Sequence, residues 1–411
     1  MALGSAFYNQ GDTTQATAFF KKAFDLRDHA TERDRLLMET NYYGDGLGDY
    51  ESAIRSSKQL LAIYPNSASN WVLLCKYYAY LGRYPESVQA GERAVQLDPK
   101  NSSARTNLAQ TYGMINRFDD AKRMAGGLLT EGNDLWQTHE FLLELALVQH
   151  DTATIAAQTA WESTHPPLNV SFYSLGSIAA TRGQIQEMLS EFAHARAESI
   201  TSGNPDFADL VWIQQAHILD EVGLPAQATA ALKQVKSAGA GDPGSYELFA
   251  LRNGDPAPAQ KFIAAAEKSP DHDTLKNNVL LPQLRAAIAL RAHHAAEAIQ
   301  VLEPARPYQL INYATLYLRA EAETEAGRYE AAVQDYQLIL NNPGIDAISI
   351  EYPLSRLKLA RVLVLEKKTP EAISEYKAFL EAWKDANTDV PVLMQARREY
   401  AALTGRSNAG T

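Results

Sequence analysis

The sequence predicts an all-α fold, in which about eleven helical hairpins stack into a right-handed solenoid. Three observations support this prediction. Turn residues recur along the chain about every 34 residues, small residues follow them at fixed distances, and aromatic residues stand at fixed distances around several of them. A period of this length is typical of arrays in which each repeat is one supersecondary unit. Such units bury their apolar faces against neighbouring repeats and not in one central core.

The turn residues, which we call anchors, define the period. They are spaced by 37, 34, 34, 34, 33, 40, 31, 39, 34 and 40 residues. Because a tight turn between two helices needs a positive φ, which only glycine adopts without strain, we expect glycine at most anchors. The anchors are Gly11, Gly48, Gly82, Asn116, His150, Gly183, Gly223, Gly254, His293, Gly327 and Lys367.

Small residues follow the anchors at two distances, and proline closes two of the repeats. Small side chains let two helices approach closely, and proline ends a helix before the next repeat begins. Five positions after an anchor stand Ala53, Ser87, Ala121, Ala332 and Ala372. Twelve positions after an anchor stand Ala23, Ala94, Ala195 and Ala266, and Pro65 and Pro99 stand seventeen after.

The aromatic positions complete a pattern that resembles the tetratricopeptide repeat (TPR). Trp71 and Trp212 stand eleven residues before an anchor, and Tyr78 and Tyr112 stand four before. The run of spacings 34, 34, 34 and 33 is the period of that repeat. The resemblance implies pairs of antiparallel helices and a concave groove, lined by the first helix of each pair, that binds proteins or peptides.

The regularity of the pattern divides the chain. We expect regular TPR repeats over residues 1–135, divergent TPR-like hairpins over 136–310, C-terminal repeats and an end helix over 311–403, and a flexible tail over 404–411. In the divergent part we expect longer connections around residues 202–207 and 239–245. Counting back from Gly11 places Met1 inside the first helix of a repeat, so we expect a truncated first repeat that is part of something longer. The alternative is a short natural N-terminal helix.

Two segments resemble a particular group of TPR regions. Residues 30–67 have two tyrosines before the turn, and residues 359–403 contain Phe379-Leu-Glu-Ala-Trp383-Lys-Asp-Ala-Asn387. Both resemble the C-terminal TPR region of bacterial serine/threonine protein kinases of the kind abundant in acidobacteria. In that family a kinase domain and a membrane-spanning segment precede the array. The resemblance implies an interaction or sensory region of a signalling protein.

Catalytic motifs are missing from the sequence. Gly44-Asp-Gly-Leu-Gly48 has the wrong spacing for a kinase phosphate loop, and Asp49 stands where its last glycine should be. No His-Arg-Asp or Asp-Phe-Gly motif, Walker loop or Gly-x-Ser-x-Gly elbow occurs. We therefore expect a non-catalytic scaffold. The alternatives are a fragment of a membrane-anchored kinase whose catalytic domain lies outside this chain, and the TPR part of a winged-helix transcriptional regulator.

Composition excludes several other classes. The chain has 38 basic and 49 acidic residues and a net charge of −11, which argues against a nucleic-acid partner. The single cysteine, Cys75, excludes an internal disulfide framework and is expected to be buried. We expect no membrane segment, because no apolar run is long enough to span a bilayer. The compartment stays open: cytoplasm by default, and periplasm if the chain is the arm of a membrane-anchored kinase.

The histidines do not form a metal motif. His293 and His294 are adjacent, so on a helix their side chains would diverge by about 100°. His139-Glu140 begins like a zinc-protease motif, but Leu143 stands where the second histidine is needed. We therefore expect solvated turn residues at 293–294, no metal and no cofactor.

The predicted groove is the candidate binding site, and its partner is a protein or peptide. Lys76 and Asn107 stand near positions that grip a terminal carboxylate in TPR proteins, but Val72 and Phe141 occupy other such positions. The mixed lining therefore favours an extended or helical segment with apolar anchors. The partner-binding candidates are Met38, Tyr42, Lys76, Tyr80, Asn107, Gln110, Met114, Glu140 and Glu144.

Overall fold

A computed structural model of the chain describes residues 1–9, 13–132, 136–165, 167–236 and 254–405. These residues form 22 α-helices and no β-strand, and the helices follow one another in a repeat arrangement. The prediction of an all-α array of helical hairpins is therefore confirmed. The chain forms two compact units: unit 1 comprises Met1–Thr138, Ser269–Leu280 and Pro307–Ile311, and unit 2 comprises His139–Lys268, Leu281–Arg306 and Asn312–Thr411.

Unit 1 contains the first eight described helices and two π-helical turns. Its helices are α1 (Ala2–Asn9), α2 (Thr13–Asp25), α3 (Glu32–Asn41), α4 (Tyr50–Ile63), α5 (Ala68–Tyr80), α6 (Tyr84–Leu97), α7 (Ser102–Met114) and α8 (Phe118–Thr130). A π-helical turn, Tyr42–Gly46, continues α3, and a second one, Lys276–Leu280, lies in a later segment of the unit. Each π turn adds a residue to the helical repeat and so redirects the side chains that follow it.

Unit 2 begins within α9 and contains the remaining helices. They are α9 (Trp136–Val148), α10 (Thr152–Glu162), α11 (Leu168–Thr181), α12 (Ile185–Thr201), α13 (Pro205–Glu221), α14 (Pro225–Leu232) and α15 (Ala257–Lys268). They continue with α16 (Leu281–Arg291), α17 (Ala295–Val301), α18 (Ala314–Glu325), α19 (Tyr329–Leu340), α20 (Glu351–Leu365), α21 (Thr369–Ala382) and α22 (Pro391–Thr404).

The anchors adopt the backbone conformation that the sequence predicts. All ten anchors in the described residues have a positive φ, between 56° at His150 and 106° at Gly254. Gly11 lies outside the described residues. Four of the ten are not glycine (Asn116, His150, His293 and Lys367), and all four are exposed. His293 is therefore a solvated turn residue, as predicted.

The small residues after the anchors are buried where paired helices meet. Ala53, Ser87, Ala121, Ala332 and Ala372 are each 0% exposed. Ala94 and Ala195, twelve residues after their anchors, are also fully buried. A larger side chain at these positions would push the two helices of a hairpin apart. Ala23 and Ala266, also twelve residues after their anchors, are only half-buried, so the position five residues after an anchor marks a buried contact more consistently.

Short polar caps start many of the helices. The carboxylate or amide oxygens of Asp49, Asn101 and Asp151 accept hydrogen bonds of 2.9–3.1 Å from the backbone N–H three residues on. Proline stands in the first turn of α6, α13, α14, α21 and α22, where its missing N–H leaves no helical bond unmade. Together these residues fix where a helix begins after each connection.

One expectation about the divergent part is wrong. Only residues 202–204 connect α12 to α13, so there is no long connection around residues 202–207. The spacing of 40 between Gly183 and Gly223 comes instead from two long helices, because α12 and α13 have 17 residues each. The other expected connection, at residues 239–245, lies outside the described residues. The sequence-based boundaries of the repeat groups remain predictions.

In each unit, glycine turns dock against segments far along the chain. In unit 1 the carbonyl of Gly48 accepts a 3.0 Å hydrogen bond from the Thr274 N–H, and the Tyr84 hydroxyl donates a 2.5 Å bond to the carbonyl of Leu310. In unit 2 the carbonyl of Gly183 accepts a 3.1 Å bond from the Asn387 N–H. An array held only by nearest neighbours would lack such contacts. No helix within the described residues combines the length and apolarity needed to cross a membrane.

Candidate functional site

Lys76, a predicted groove residue on α5 of unit 1, is held by an ion pair with Asp45. Its Nζ lies 2.7 Å from Asp45 Oδ1 and 2.9 Å from Oδ2, and the Tyr77 hydroxyl donates a 3.1 Å hydrogen bond to Asp45 Oδ1. The π turn at Tyr42–Gly46 places Asp45 there. Gly44 makes room for the Tyr77 ring, because a Cβ on Gly44 would lie 2.3 Å from that ring.

Tyr80 is the exposed end of a group of four tyrosines that we call the tyrosine cluster: Tyr8, Tyr50, Tyr77 and Tyr80. The Tyr50 ring lies 5.3 Å from the Tyr80 ring and 5.8 Å from the Tyr77 ring, and the Tyr8 and Tyr80 hydroxyls are 3.5 Å apart. Lys76 Nζ lies 4.9 Å from the Tyr8 and Tyr77 ring centres. Burial raises the pKa of Tyr50, so this hydroxyl remains a neutral hydrogen-bonding group.

The other predicted groove residues of unit 1 are less closely grouped. Tyr42 packs its ring 4.4 Å from that of Phe24, and Met38 is half-buried on α3. Asn107, Gln110 and Met114 lie on one face of α7, with Gln110 exposed and the other two half-buried. The structure therefore brings Lys76 and Tyr80 into one cluster, while the α7 residues form a separate polar strip.

In unit 2 the predicted groove residues Glu140 and Glu144 lie one turn apart on α9 and are half-buried. The Ser174 hydroxyl of α11 donates a 3.0 Å hydrogen bond to Glu140 Oε1. Burial raises the pKa of Glu140 above its ordinary range. The pKa of Glu144 is raised further, by burial first and then by the charges of Glu140, Asp346 and Glu162. Together these four carboxyls form what we call the acidic cluster.

Sequence reasoning missed two members of the acidic cluster, Glu162 and Asp346. Glu162 ends α10, is 0% exposed, and neither of its carboxylate oxygens has a hydrogen-bond partner. Burial and the charge of Glu140 raise its pKa to about 8. Burial and the charge of Glu351 raise the pKa of Asp346 to about 7. Neither residue falls at a groove position of the repeat pattern, but Glu162 stands twelve residues after the anchor His150, where the pattern predicts a small residue.

A second group of charges in unit 2 is paired. The Tyr317 hydroxyl donates a 2.9 Å hydrogen bond to Glu221 Oε2, and Lys358 forms ion pairs with Glu221 and Glu321. Beside them lies a cavity of about 290 Å³, whose lining includes Glu221, Lys358, Arg361 and Gln395. Because its acids and bases neutralise one another, this cavity has no strong preference for an anion or a cation.

Other candidate chemistry has structural explanations. Cys75 is fully buried as predicted, and its Sγ lies 3.3 Å from Ser87 Oγ. Burial raises the pKa of this thiol, which disfavours the reactive thiolate. Within the described ranges, no group of three or more His, Cys, Asp or Glu residues is arranged to hold a metal ion.

Comparisons with known proteins agree with the repeat type. Two family profiles described as tetratricopeptide repeat match residues 90–123 and residues 1–29. No curated protein sequence matches the chain. The chain therefore contains tetratricopeptide repeats within an all-α array.

Several solved structures are similar at low identity. Yeast Tom70 has 12% identity and a TM-score of 0.29, with 94% of this chain and 96% of that chain covered. The human IFIT1 dimer with PPP-AAAA has 13% identity and a TM-score of 0.43, with 82% and 80% covered. Naa15/Naa10 bound to HypK-THB has 13% identity and a TM-score of 0.28, with 98% and 65% covered.

Proposed function

We propose that the chain is a non-catalytic scaffold that binds an extended or helical segment of a protein partner along the first helices of its repeats. The observation that carries this proposal is the tyrosine cluster of unit 1. Its outer member, Tyr80, is 36% exposed, while Tyr77 beneath it is fully buried. A fixed aromatic surface with polar hydroxyls binds a partner with little loss of side-chain entropy.

The ion pair between Lys76 and Asp45 bears on which type of ligand the tyrosine cluster binds. A grip on a terminal carboxylate needs basic side chains that are free to donate to it. Lys76 already donates hydrogen bonds to both carboxylate oxygens of Asp45, so the positive charge of Lys76 is neutralised within the protein. This pairing favours a ligand that packs an apolar or aromatic side chain on the cluster, and disfavours carboxylate-tail binding.

The test is to select peptides from a random display library for binding to the full chain. The affinities of the selected peptides are then measured by fluorescence anisotropy for the wild type and two variants. We expect Tyr80→Ala to weaken binding about tenfold or more, which is a typical effect for an aromatic residue at the centre of an interface. Tyr64→Ala is the matched control, because Tyr64 is 40% exposed and lies outside the cluster.

Two results would contradict the proposal. The first is a selection that returns no peptide with measurable affinity, and the second is equal weakening by Tyr80→Ala and Tyr64→Ala. Circular dichroism of both variants must match the wild type, so that a change in affinity reports on binding and not on folding.

A finer proposal concerns the biological setting. The sequence of residues 30–67 and 359–403 supports an interaction or sensory region of a bacterial serine/threonine kinase-type signalling protein. In the second segment Phe379 and Trp383 are fully buried, so these two residues serve packing in this chain. An immunoblot of fractionated host cells tests the setting. A membrane-bound band tens of kDa heavier than 45.3 kDa supports a kinase arm, and a soluble band at 45.3 kDa contradicts it.

A further inference from the structure

We propose that the acidic cluster of unit 2 binds a basic side chain, a lysine or an arginine, of the partner segment. This inference rests on the proposed function and names the chemistry of one of its contacts. Glu140 and Glu144 lie one turn apart on the same face of α9, and both residues are half-buried. The chain as a whole carries a net charge of −11, which favours the approach of a basic segment.

The buried carboxyl of Glu162 is the observation that points to a ligand. It is inaccessible to solvent, and neither of its oxygens has a hydrogen-bond partner. An acid in this position is stable only as the neutral form, or as the charged form with a cation nearby. A basic side chain bound at Glu140 and Glu144 would supply that cation.

The balance of charge around the cluster is one-sided. The groups that act on the charge of Glu144 are Glu140, Asp346 and Glu162, all of them acids. Glu351, which acts on Asp346, already pairs with His217 Nε2 at 2.7 Å. The buried Asp335 of unit 2, by contrast, has a basic partner, because Arg319 donates two 2.6 Å hydrogen bonds to it. The acidic cluster therefore has the electrostatic character of a site whose counter-charge comes from a partner.

The chemistry favours a side-chain cation over the alternatives. Carboxyl groups offer no positive charge to a phosphate, so the cluster does not favour an anionic ligand. The described residues offer no arrangement of ligands for a metal ion. A guanidinium or ammonium group on a long apolar stem reaches two carboxylates one helical turn apart and donates to both.

The experiment uses the full chain and two short peptides in isothermal titration calorimetry. One is a capped Gly-Arg-Gly-Arg-Gly peptide, and the other is the same peptide with citrulline in place of arginine. Citrulline keeps the shape of the side chain and removes its charge. We expect the arginine peptide to bind about tenfold more tightly than the citrulline peptide.

Matched variants separate this site from general attraction to an acidic protein. Glu140→Gln/Glu144→Gln removes two charges from the cluster, and Glu187→Gln/Glu371→Gln removes two exposed charges from α12 and α21. We expect the preference for arginine to be lost in the first double variant and kept in the second. Equal loss in both, or no preference in the wild type, would overturn the proposal.

Two further results keep the two proposals distinguishable. Spermidine that binds the wild type while the arginine peptide does not would assign the cluster to a free amine and overturn the peptide assignment. Selected peptides that bind through Tyr80 but ignore Glu140→Gln/Glu144→Gln would overturn this inference and leave the proposed scaffold function standing.

Discussion

The indole Nε1 of Trp383 donates a 2.9 Å hydrogen bond to the carbonyl oxygen of Thr181, which precedes it by 202 residues. Trp383 directly follows α21 and is fully buried, and Thr181 ends α11 at the turn that contains Gly183. Two more bonds join the same segments, from the Asn387 N–H to the Gly183 carbonyl and from the Gln186 N–H to Asn387 Oδ1. Unit 2 is therefore held by contacts across many repeats as well as between neighbours.

Replacing Trp383 by alanine should destabilise unit 2 by about 3–5 kcal/mol, because the change removes a large buried ring and leaves a cavity. Trp71→Ala is the control. The Trp71 indole also donates a 2.9 Å bond to a backbone carbonyl, that of Pro65, but the residue is only half-buried and the contact is local. Its loss should be about 1–2 kcal/mol. Urea denaturation followed by circular dichroism measures both, and equal losses would show that the long-range contact contributes little.

Gly183 lies at this turn, where neighbouring residues leave no space for a side chain. A Cβ on Gly183 would lie 2.6 Å from the Cβ of Ala386 and 2.7 Å from the Trp383 ring. Gly327 has the same φ, +73°, and would have nothing within 4 Å of its Cβ. Gly183→Ala should therefore destabilise by about 2–4 kcal/mol, from backbone strain and overlap together, and Gly327→Ala by about 1 kcal/mol from strain alone. Equal shifts in the melting temperature would contradict the docking explanation.

The difference between the crowded turn at Gly183 and the open turn at Gly327 shows how far the sequence predicts the fold. The spacing predicts which residues turn, and all ten described anchors have the expected positive φ. It does not predict which turns are covered. Other segments approach the turns at Gly48, Gly82, Gly183 and Gly223, whereas the exposed turns carry larger residues at 116, 150, 293 and 367 but glycine at 327. Docking between distant segments depends on how many successive repeats stack on one another. The spacing of residues within one repeat does not encode this stacking.

The candidate site was predictable to a similar degree. The groove positions of the repeat pattern select Lys76, Tyr80, Glu140 and Glu144, because these positions recur in the first helix of each repeat, and their role in binding stays a prediction. The acidic residues that act on Lys76 and Glu144 lie outside the first helices of the repeats. Asp45 reaches Lys76 through a π turn that the spacing does not reveal, and Asp346 reaches Glu144 from a connection between α19 and α20.

An exposed anchor that is not glycine offers a stabilising change. Lys367 has a φ of +63° and is exposed, and an L-residue in that conformation is strained by about 1–2 kcal/mol. Lys367→Gly removes the strain but adds entropy to the unfolded chain, so we expect a net gain of about 0.5 kcal/mol. Gly327→Lys is the reciprocal control and should lose a similar amount. A lower melting temperature for Lys367→Gly would contradict this account.

The acidic cluster predicts how stability depends on pH. The pKa of Glu162 is about 8 in the folded chain against an ordinary value of 4.5, so the folded state holds a proton that the unfolded state releases. The resulting stability is fully present below pH 4.5 and is lost as the pH rises through 8. Asp346, with a pKa of about 7, acts in the same direction. The wild type should therefore be more stable near pH 5 than near pH 9.

Glu162→Gln replaces the protonated carboxyl by a neutral group of the same shape and removes this dependence. We expect the variant to be more stable than the wild type near pH 9 by on the order of 2 kcal/mol, and to differ little near pH 5. His139 and His165 stack on the adjacent Trp161 and are present in both proteins, so the difference between the two isolates the carboxyl. Melting curves across this pH range measure it. Parallel curves for the two proteins would show that Glu162 carries its charge in the folded chain without penalty.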